Sequence, residues 1–513
     1  MGLSNFEELL LGKFLDPIHG VIRITKLEKK IIDHPLFQRL RDVRQNTFLY
    51  KVFPSAMHSR FEHSVGVMHL AYEIIKTMQL NASIYVRKKE NVTLYLDIQD
   101  LQSNTIQELR IAALLHDVGH GPLAHQFDSF AMQKKDFRDK CTNEEKEKYD
   151  RILSLDADAD DDILTHEQVS CIFIIKIIED LKKDSELDDD KIYKDNIKSI
   201  STDSIIKIVE KKYKFKDEPS NSNIYPLLGS IISSSPIDAD RMDYLLRDSY
   251  FSGVKYGIYD YGRLLMSFIP VKINDRVHLA YKESGLDSIL EFTNARSSLY
   301  SQVYFHKTNR ALSAMLNKAC EIAKLQNTIE LKDENTIIEN MQNFYVLHSD
   351  QKFLAHLLEK TKGEPANNII DDVIKRNVWK KIYEKKHTFS NLNIFDVECK
   401  KLKTKLTKLI NDVLSEHFSG EQWALDFQME DNFKDIEKSD ARILKKKPEN
   451  SYDVIKLSDY EDVLKSYHHI KFFIRVFASQ KTKDGLGSNT INEINNRIDK
   501  IVNKEIASFN SNR

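Results

Sequence analysis

Along this chain, apolar residues keep returning at three- and four-residue spacing. They do so in GVMHLAYEIIKTM (66–78), IQELRIAALLH (106–116), VSCIFIIKIIEDL (169–181), NKACEIAKLQ (317–326) and DVIKRNVWKKIYEK (372–385). That spacing lays a single apolar stripe along a helix of about 3.6 residues per turn, so each stretch predicts an amphipathic helix. Only 15 glycines and 10 prolines punctuate the 513 residues, too few for a turn-rich β protein. Strand-like stretches such as VHLAY (277–281) are short and few. The expected fold is mainly α, a helical core with small β elements.

A chain of this length has room for two or three domains. Texture changes after residue 330, where lysine-rich runs such as KKLKTKLTKLINDVL (400–414) and RILKKKP (442–448) appear. The expected division is a catalytic core over 1–330 and an α-rich C-terminal region over 331–513, serving oligomerisation or regulation. Two charged stretches, 139–163 and 182–200, look like excursions from the core. The DADADDD run at 156–162 lacks the glycine and distal glutamate of a calcium loop and reads as a solvated loop.

Lysine and arginine total 76 against 78 acidic residues, a net charge of −2, so no global field recruits nucleic acid or an anionic membrane. Cys141, Cys171, Cys320 and Cys399 are scattered without CxxC spacing, the usage of a reducing compartment. No apolar run reaches the roughly 18–20 residues of a membrane span, and the opening MGLSNFEELLLGKF lacks a basic signal-peptide start. A cytoplasmic protein is expected.

Chemistry concentrates in LLHDVGHGPLAH (114–125), where an apolar helix pattern runs into His116, Asp117, His120 and His125. Nine of the seventeen histidines fall in the first 170 residues, with further clusters in HSRFEHS (58–64) and LTHEQVS (164–170). If the helix continues, residues 116 and 120 share one face. Imidazole with carboxylate suits a divalent Mn, Fe, Zn or Ni, with Mg at a second, oxygen-rich position. Alone, the segment reads equally well as a helix end with histidine caps and a GHGP turn. RFEHS some fifty residues earlier and SPIDADRMDYLLRD (235–248) change that balance.

His63, His116–Asp117 and Asp240 follow the H…HD…D order of the HD-domain phosphohydrolases. More closely, DPIHGVI, FQRLRDVRQ, FPSAMHSRFEHSVGV, LLHDVGHGPLAHQFD, THEQ, DADRMDYLLRD and YFHK, in register from about residue 12 to 310, resemble the HD-domain deoxynucleoside triphosphate triphosphohydrolases. No sterile-alpha-motif domain fits before residue 12, so the expected architecture is the bacterial type. The resemblance implies that His63, His116, Asp117 and Asp240 hold a metal that activates water for attack at the α-phosphorus of a nucleoside triphosphate. It implies His166 as general acid, Asp128 or Glu167 as the group that orients a catalytic histidine, and His120 for proton transfer or for a second metal on a phosphate oxygen. Arg60, His125, Arg241, Tyr244 and Arg296 match the phosphate-binding positions, where arginine pairs fix a polyanion through paired N–H donors.

By the same resemblance, Gln45 and Asp248 would bond the 3′-hydroxyl and Tyr304 would pack beneath the sugar. Asn46 stands where an apolar residue helps exclude a 2′-hydroxyl, and Phe305 where a glutamine can meet the base. Those departures imply broad base tolerance and relaxed deoxy-selectivity. Asp33, Gln38 and Arg41 keep the pattern that reads a guanine effector, GTP or a dNTP, between subunits of a tetramer or hexamer; a dimer also fits. Ile269 replaces an effector-site arginine, while His306 and Lys307 persist. The competing readings are an HD phosphodiesterase or nuclease, which the basic C-terminal stretches would suit, and a nucleotide sensor without turnover.

Overall fold

The computed structural model describes residues 2–87, 101–153, 163–234, 236–325, 329, 335–390, 396–432, 441–448, 452–460 and 469–511. The fold is mainly α, as expected. Most of the predicted helices form: Arg60–Arg87, Ser103–Leu115, His166–Leu187 and Lys307–Ala323 contain the apolar periods or nearly all of each. The period at 372–385 misleads. The helix Pro365–Lys375 ends with Arg376 in the left-handed region at φ 61°, and the chain re-enters as a strand over Lys380–Ser390. A run of β-branched and aromatic residues interleaved with lysine fits either period until its neighbours are known.

Three sheets decorate the helices. β1 (Gly12–Asp16) and β2 (Gly20–Ile24) form a hairpin. β3 (Phe268–Ile273) and β4 (Arg276–Lys282) pair antiparallel, and β4 then pairs parallel with a distant strand, Arg442–Lys446. With β5 (Lys380–Ser390), β6 (Trp423–Asp431), β7 (Arg442–Lys446), β8 (Tyr452–Lys456) and β9 (His469–Ala478) defined, the sheet orders are β3-β4-β7-β8 and β5-β9-β6. The basic 442–448 stretch is therefore largely a strand, and the C-terminal region carries an antiparallel sheet beside its helices.

One large apolar core runs from Phe6 to Trp379 and also takes in Ala441, Ile443 and Leu457. The helices Ile337–Leu347, Asp350–Lys360 and Pro365–Lys375 belong to it although they follow residue 330. A second core lies between the β5-β9-β6 sheet and two helices, Asp396–Ser415 and Gln480–Ser511, the latter broken at Gly487. There Leu402, Leu406, Ile410 and Val413 face Ile494, Ile498, Val502 and Ile506, each series at helical spacing. Of the charged excursions, 143–153 and 191–199 are helical, with Tyr149, Ile152, Tyr193 and Ile197 buried; 156–162 lies outside the described residues. No described helix is long and apolar enough to cross a membrane, and the four cysteines are all buried.

Local caps aim the elements that matter. Thr25 and Glu28 close a capping box, and Glu28, itself buried, also binds Arg110 at 2.7 Å and Gln107 at 2.8 Å on the Ser103–Leu115 helix. Thr165 and Gln168 form another box that places His166 at the first helical position. Asp238 caps Ala239–Ser252 by accepting the Arg241 N–H at 2.7 Å, so that Asp240 lies in the first turn.

Candidate metal centre

Three segments distant in sequence meet at one point. His63 Nε2 lies 3.1 Å from Asp240 Oδ1 and 3.6 Å from Asp117 Oδ2; His116 Nε2 lies 3.4 Å from Asp117 Oδ1 and 3.8 Å from Asp240 Oδ1. The outer nitrogens are engaged elsewhere, His63 Nδ1 with Asp243 Oδ2 at 2.8 Å and His116 Nδ1 with the Ala113 carbonyl at 2.8 Å. Both Nε2 atoms are buried without a hydrogen-bond partner. His63 and His116, with their far ring nitrogens locked, form with Asp117 a donor set that fits a divalent cation, and Asp240 faces both rings beside it. Burial opposes charge on His63, but the facing Asp240 carboxylate and the bonded Asp243 carboxylate outweigh it and push the ring up to about 10. Burial likewise opposes charge on Asp117, and the His116 and Arg60 cations outweigh it, holding that carboxyl well below the usual range.

The expectation that His116 and His120 share a helix face is overturned. The helix stops at Leu115, His116 is its C-cap, and turns carry the chain onward. His120 Nε2 still reaches Asp117 Oδ1 at 3.4 Å, but its ring joins a second group. His120 stacks on His166 at 3.8 Å, and His125 meets both edge-on at 4.8 and 5.3 Å. Burial, then Arg60 and His166, keep His120 well below the usual imidazole range, so it is neutral at pH 7. Glu167 Oε1 sits 3.3 Å from His166 Nε2, and Asp128 lies 4.0 Å from His125 Nδ1.

The chain between these groups is held closely. A Cβ on Gly119 would stand 2.2 Å from the His166 carbonyl and the Ser170 nitrogen, so glycine there lets the His166 helix approach. Ser170 Oγ accepts the Gly119 N–H at 2.8 Å and donates to the His116 carbonyl at 2.7 Å. Arg39 donates to the His120 carbonyl at 2.8 Å. Leu123 and Ala124 both take positive φ, 65° and 51°, just before His125. Asp350, from a helix more than two hundred residues on, accepts the Leu123 N–H at 2.7 Å and the Arg44 N–H at 3.0 Å.

Buried Arg60 contacts Asp117. Arg241 donates to the Ser234 carbonyl at 2.9 Å and contacts Asp238. Arg296, hydrogen-bonded to the Asp431 carbonyl at 3.1 Å, lies 4.5 Å over Tyr300, and its charge acts on Tyr244. Asp248 is a hub: it accepts Asn46 Nδ2 at 2.9 Å, binds His58 at 2.6 Å and contacts the Tyr304 hydroxyl. Gln45 Oε1 is buried and unpartnered nearby in sequence. Phe305 is 6 % exposed and packs edge-on against Tyr300 and Phe473. Gln38 and Arg41 bond each other at 3.0 Å, Arg41 lies over Phe61, and Asp33 is exposed on the preceding helix. Ile269 is fully buried in β3.

Sequence reasoning missed the shell behind His63. Asp243 accepts His19 Nε2 at 2.7 Å and two Arg247 N–H groups at 2.8 and 2.9 Å, besides His63, and Arg247 continues to Asp16 at 2.8 Å. The signal was in DADRMDY, where Asp240 and Asp243, three apart, share a helix face.

Residues 60–248, which contain His63, His116, Asp117 and Asp240, match the family described as HD domain. The chain is similar to the deoxynucleoside triphosphate triphosphohydrolase SAMHD1 of Danio rerio, 26% identical over 416 residues, covering 78% of this chain and 59% of that protein. It is 27% identical over 383 residues to an uncharacterized protein of Methanocaldococcus jannaschii, covering 75% and 61%. The chain thus spans about 60% of the length of these curated relatives. A hypothetical protein from Aquifex aeolicus shares the fold, with a TM-score of 0.60 at 23% identity, covering 94% of this chain and 99% of that one.

Proposed function

We propose that the protein is a metal-dependent phosphohydrolase that converts deoxynucleoside triphosphates, and more weakly ribonucleoside triphosphates, to nucleoside and inorganic triphosphate. The observation that carries this is the pair of unpartnered His63 and His116 Nε2 atoms facing Asp117 and Asp240 beside buried Arg60. A divalent cation (Mn, Fe, Zn, Ni or Mg) held there supplies an acidified water and neutralises charge on the phosphoryl oxygens. A second Mg beside His120 belongs to the same reading.

Arg60, Arg241 and Arg296 bind the triphosphate, with His125 and Tyr244 beside them. Water adds to the α-phosphorus as the bond to the 5′-oxygen breaks, and the water oxygen leaves with the triphosphate. The departing 5′-oxygen takes its proton from His166, polarised by Glu167; neutral His120 supports that ring by stacking. Asp128 orients His125. Gln45 and Asp248 bond the 3′-hydroxyl, with Tyr304 beneath the sugar. Asn46 tolerates a 2′-hydroxyl, and Phe305, packed inward, leaves the base edge unread.

Asp33, Gln38 and Arg41 would receive a guanine nucleotide effector in a homo-oligomer, whose contacts would cover the exposed Leu11, Leu15 and Val21. The deciding experiment incubates purified protein with each dNTP and NTP plus Mn or Mg and resolves the products. Release of triphosphate supports the reading. Monophosphate, pyrophosphate or cleaved nucleic acid instead makes it a phosphodiesterase or nuclease, and no product makes it a sensor. If GTP activates, Asp33→Ala removes the activation and spares basal turnover.

A further inference from the structure

Behind Arg241, on a wall that includes neither the metal cluster nor the histidine stack, lies a cavity of about 870 Å³. Its lining carries Lys207, Lys211, Lys214, Arg241, Arg276 and His278, against two acids, Glu218 and Asp275. Asp275 is shared with Lys272 outside the cavity, at 3.4 Å. Main-chain carbonyls hold two of the lining cations. Lys207 Nζ donates to the Lys211 and Tyr213 carbonyls at 2.7 and 2.6 Å, and Lys211 Nζ contacts the Ser233 carbonyl. Main-chain carbonyls orient the Lys207 ammonium without cancelling its charge, while Arg241 shares its charge with Asp238. Ser222 and Ser233 add hydroxyl groups to the lining. The volume suits a nucleotide-sized ligand.

We propose that this cavity is a second anion site that binds a phosphate chain, as free polyphosphate or as the triphosphate of a nucleotide. Several closely spaced cations with hydroxyl donors match a compact chain of phosphates rather than a single carboxylate. Arg241, whose neighbour in sequence is Asp240, forms part of the wall and makes the site contiguous with the metal centre. Binding here does not depend on the hydrolase reading.

The test titrates the full chain, in EDTA to prevent turnover, with sodium tripolyphosphate, orthophosphate and dATP by calorimetry. An Arg60→Ala/Arg296→Ala variant isolates the cavity, and Lys214→Glu/Arg276→Glu reverses two exposed rim charges. The isolating variant is expected to bind one tripolyphosphate, at least tenfold tighter than orthophosphate. Adding the rim reversals should weaken that binding at least tenfold. The rim reversals alone should leave metal binding and basal hydrolysis unchanged. Equal affinity for dATP and tripolyphosphate assigns the free chain, and tighter dATP assigns a nucleotide. No binding to the isolating variant overturns the site, as does binding indifferent to the rim reversals when thermal melts show both variants folded. Lys207→Met, at the cavity floor, serves as a second variant with the same expected loss. Absence of triphosphate release with intact cavity binding would instead remove only the hydrolase.

Discussion

Replacing Asp243 with asparagine tests how the metal centre is aimed. Asp243 is fully buried and accepts four N–H groups: one from His19, one from His63 and two from Arg247. Asparagine keeps the shape but offers one acceptor oxygen and an NH₂ to neighbours that are all donors. Arg247, also fully buried, is left with Asp16 alone as its carboxylate partner. Breaking a buried charge pair on one side costs about 3–5 kcal/mol. Losing the carboxylate behind a ligating histidine costs roughly 10–100-fold in metal affinity.

Asp243→Asn is therefore expected to lower unfolding free energy in EDTA by about 3 kcal/mol and Mn affinity by at least tenfold. Urea unfolding and metal titration calorimetry measure the two effects. Acid sensitivity should change as well. Burial alone would raise the Asp243 carboxyl, but Arg247, His19 and His63 hold it well below the usual range. Its folded value is thus depressed, and its stabilisation is present above the unfolded value of about 3.9 and is lost as pH falls through the folded one. The variant should lose that part of the acid dependence below about pH 4. Gly66→Ala attacks the same node sterically, since a Cβ there would lie 1.9 Å from Asp243 Oδ1. A variant at 243 with wild-type stability and Mn affinity within twofold would show that His63 is aimed without this carboxylate.

Other perturbations separate the remaining parts. Gly119→Ala forces the His166 helix away from backbone contacts at 2.2 Å; it should cost about 1–3 kcal/mol and lower turnover while metal binding persists, read by melts, rates and titration. His166→Ala should keep metal and nucleotide binding and lose roughly 10²–10⁴ in rate; single-turnover assays that find the larger loss in His125→Ala would move the proton donor to that ring. Burial raises Glu108 to about 7, so its folded value exceeds the unfolded one and stability falls as pH rises from about 4.3 through that value. Glu108→Gln should flatten this loss, on the order of 3 kcal/mol, in unfolding measured from pH 5 to 8. Asn46→Leu should sharpen the preference for dNTPs over NTPs in competition assays; an unchanged ratio would place the 2′-hydroxyl elsewhere.

The sequence by itself determined the helices and the identities at the centre. Amphipathic periods at 66–78, 106–116 and 169–181 each have one way to bury their apolar residues, and the structure makes them helices. His63, His116, Asp117 and Asp240 were legible because a metal's need for nitrogen and oxygen donors limits the residue types, and their order matched a known motif. The tertiary structure decided what depends on distant neighbours. Residues 380–390 became a strand because β9 offers its backbone a partner, a choice the local period could not express. His120 left the first cluster because the helix ended at Leu115, and a side-chain period carries no meaning beyond its helix. Phe305 packed against Phe473, more than 150 residues away. Asp350 holds the pocket through a bond to the Leu123 main chain, which no spacing in the sequence encodes. A residue's type limits the chemistry it can do, but the direction its side chain takes is set by what the folded chain packs around it.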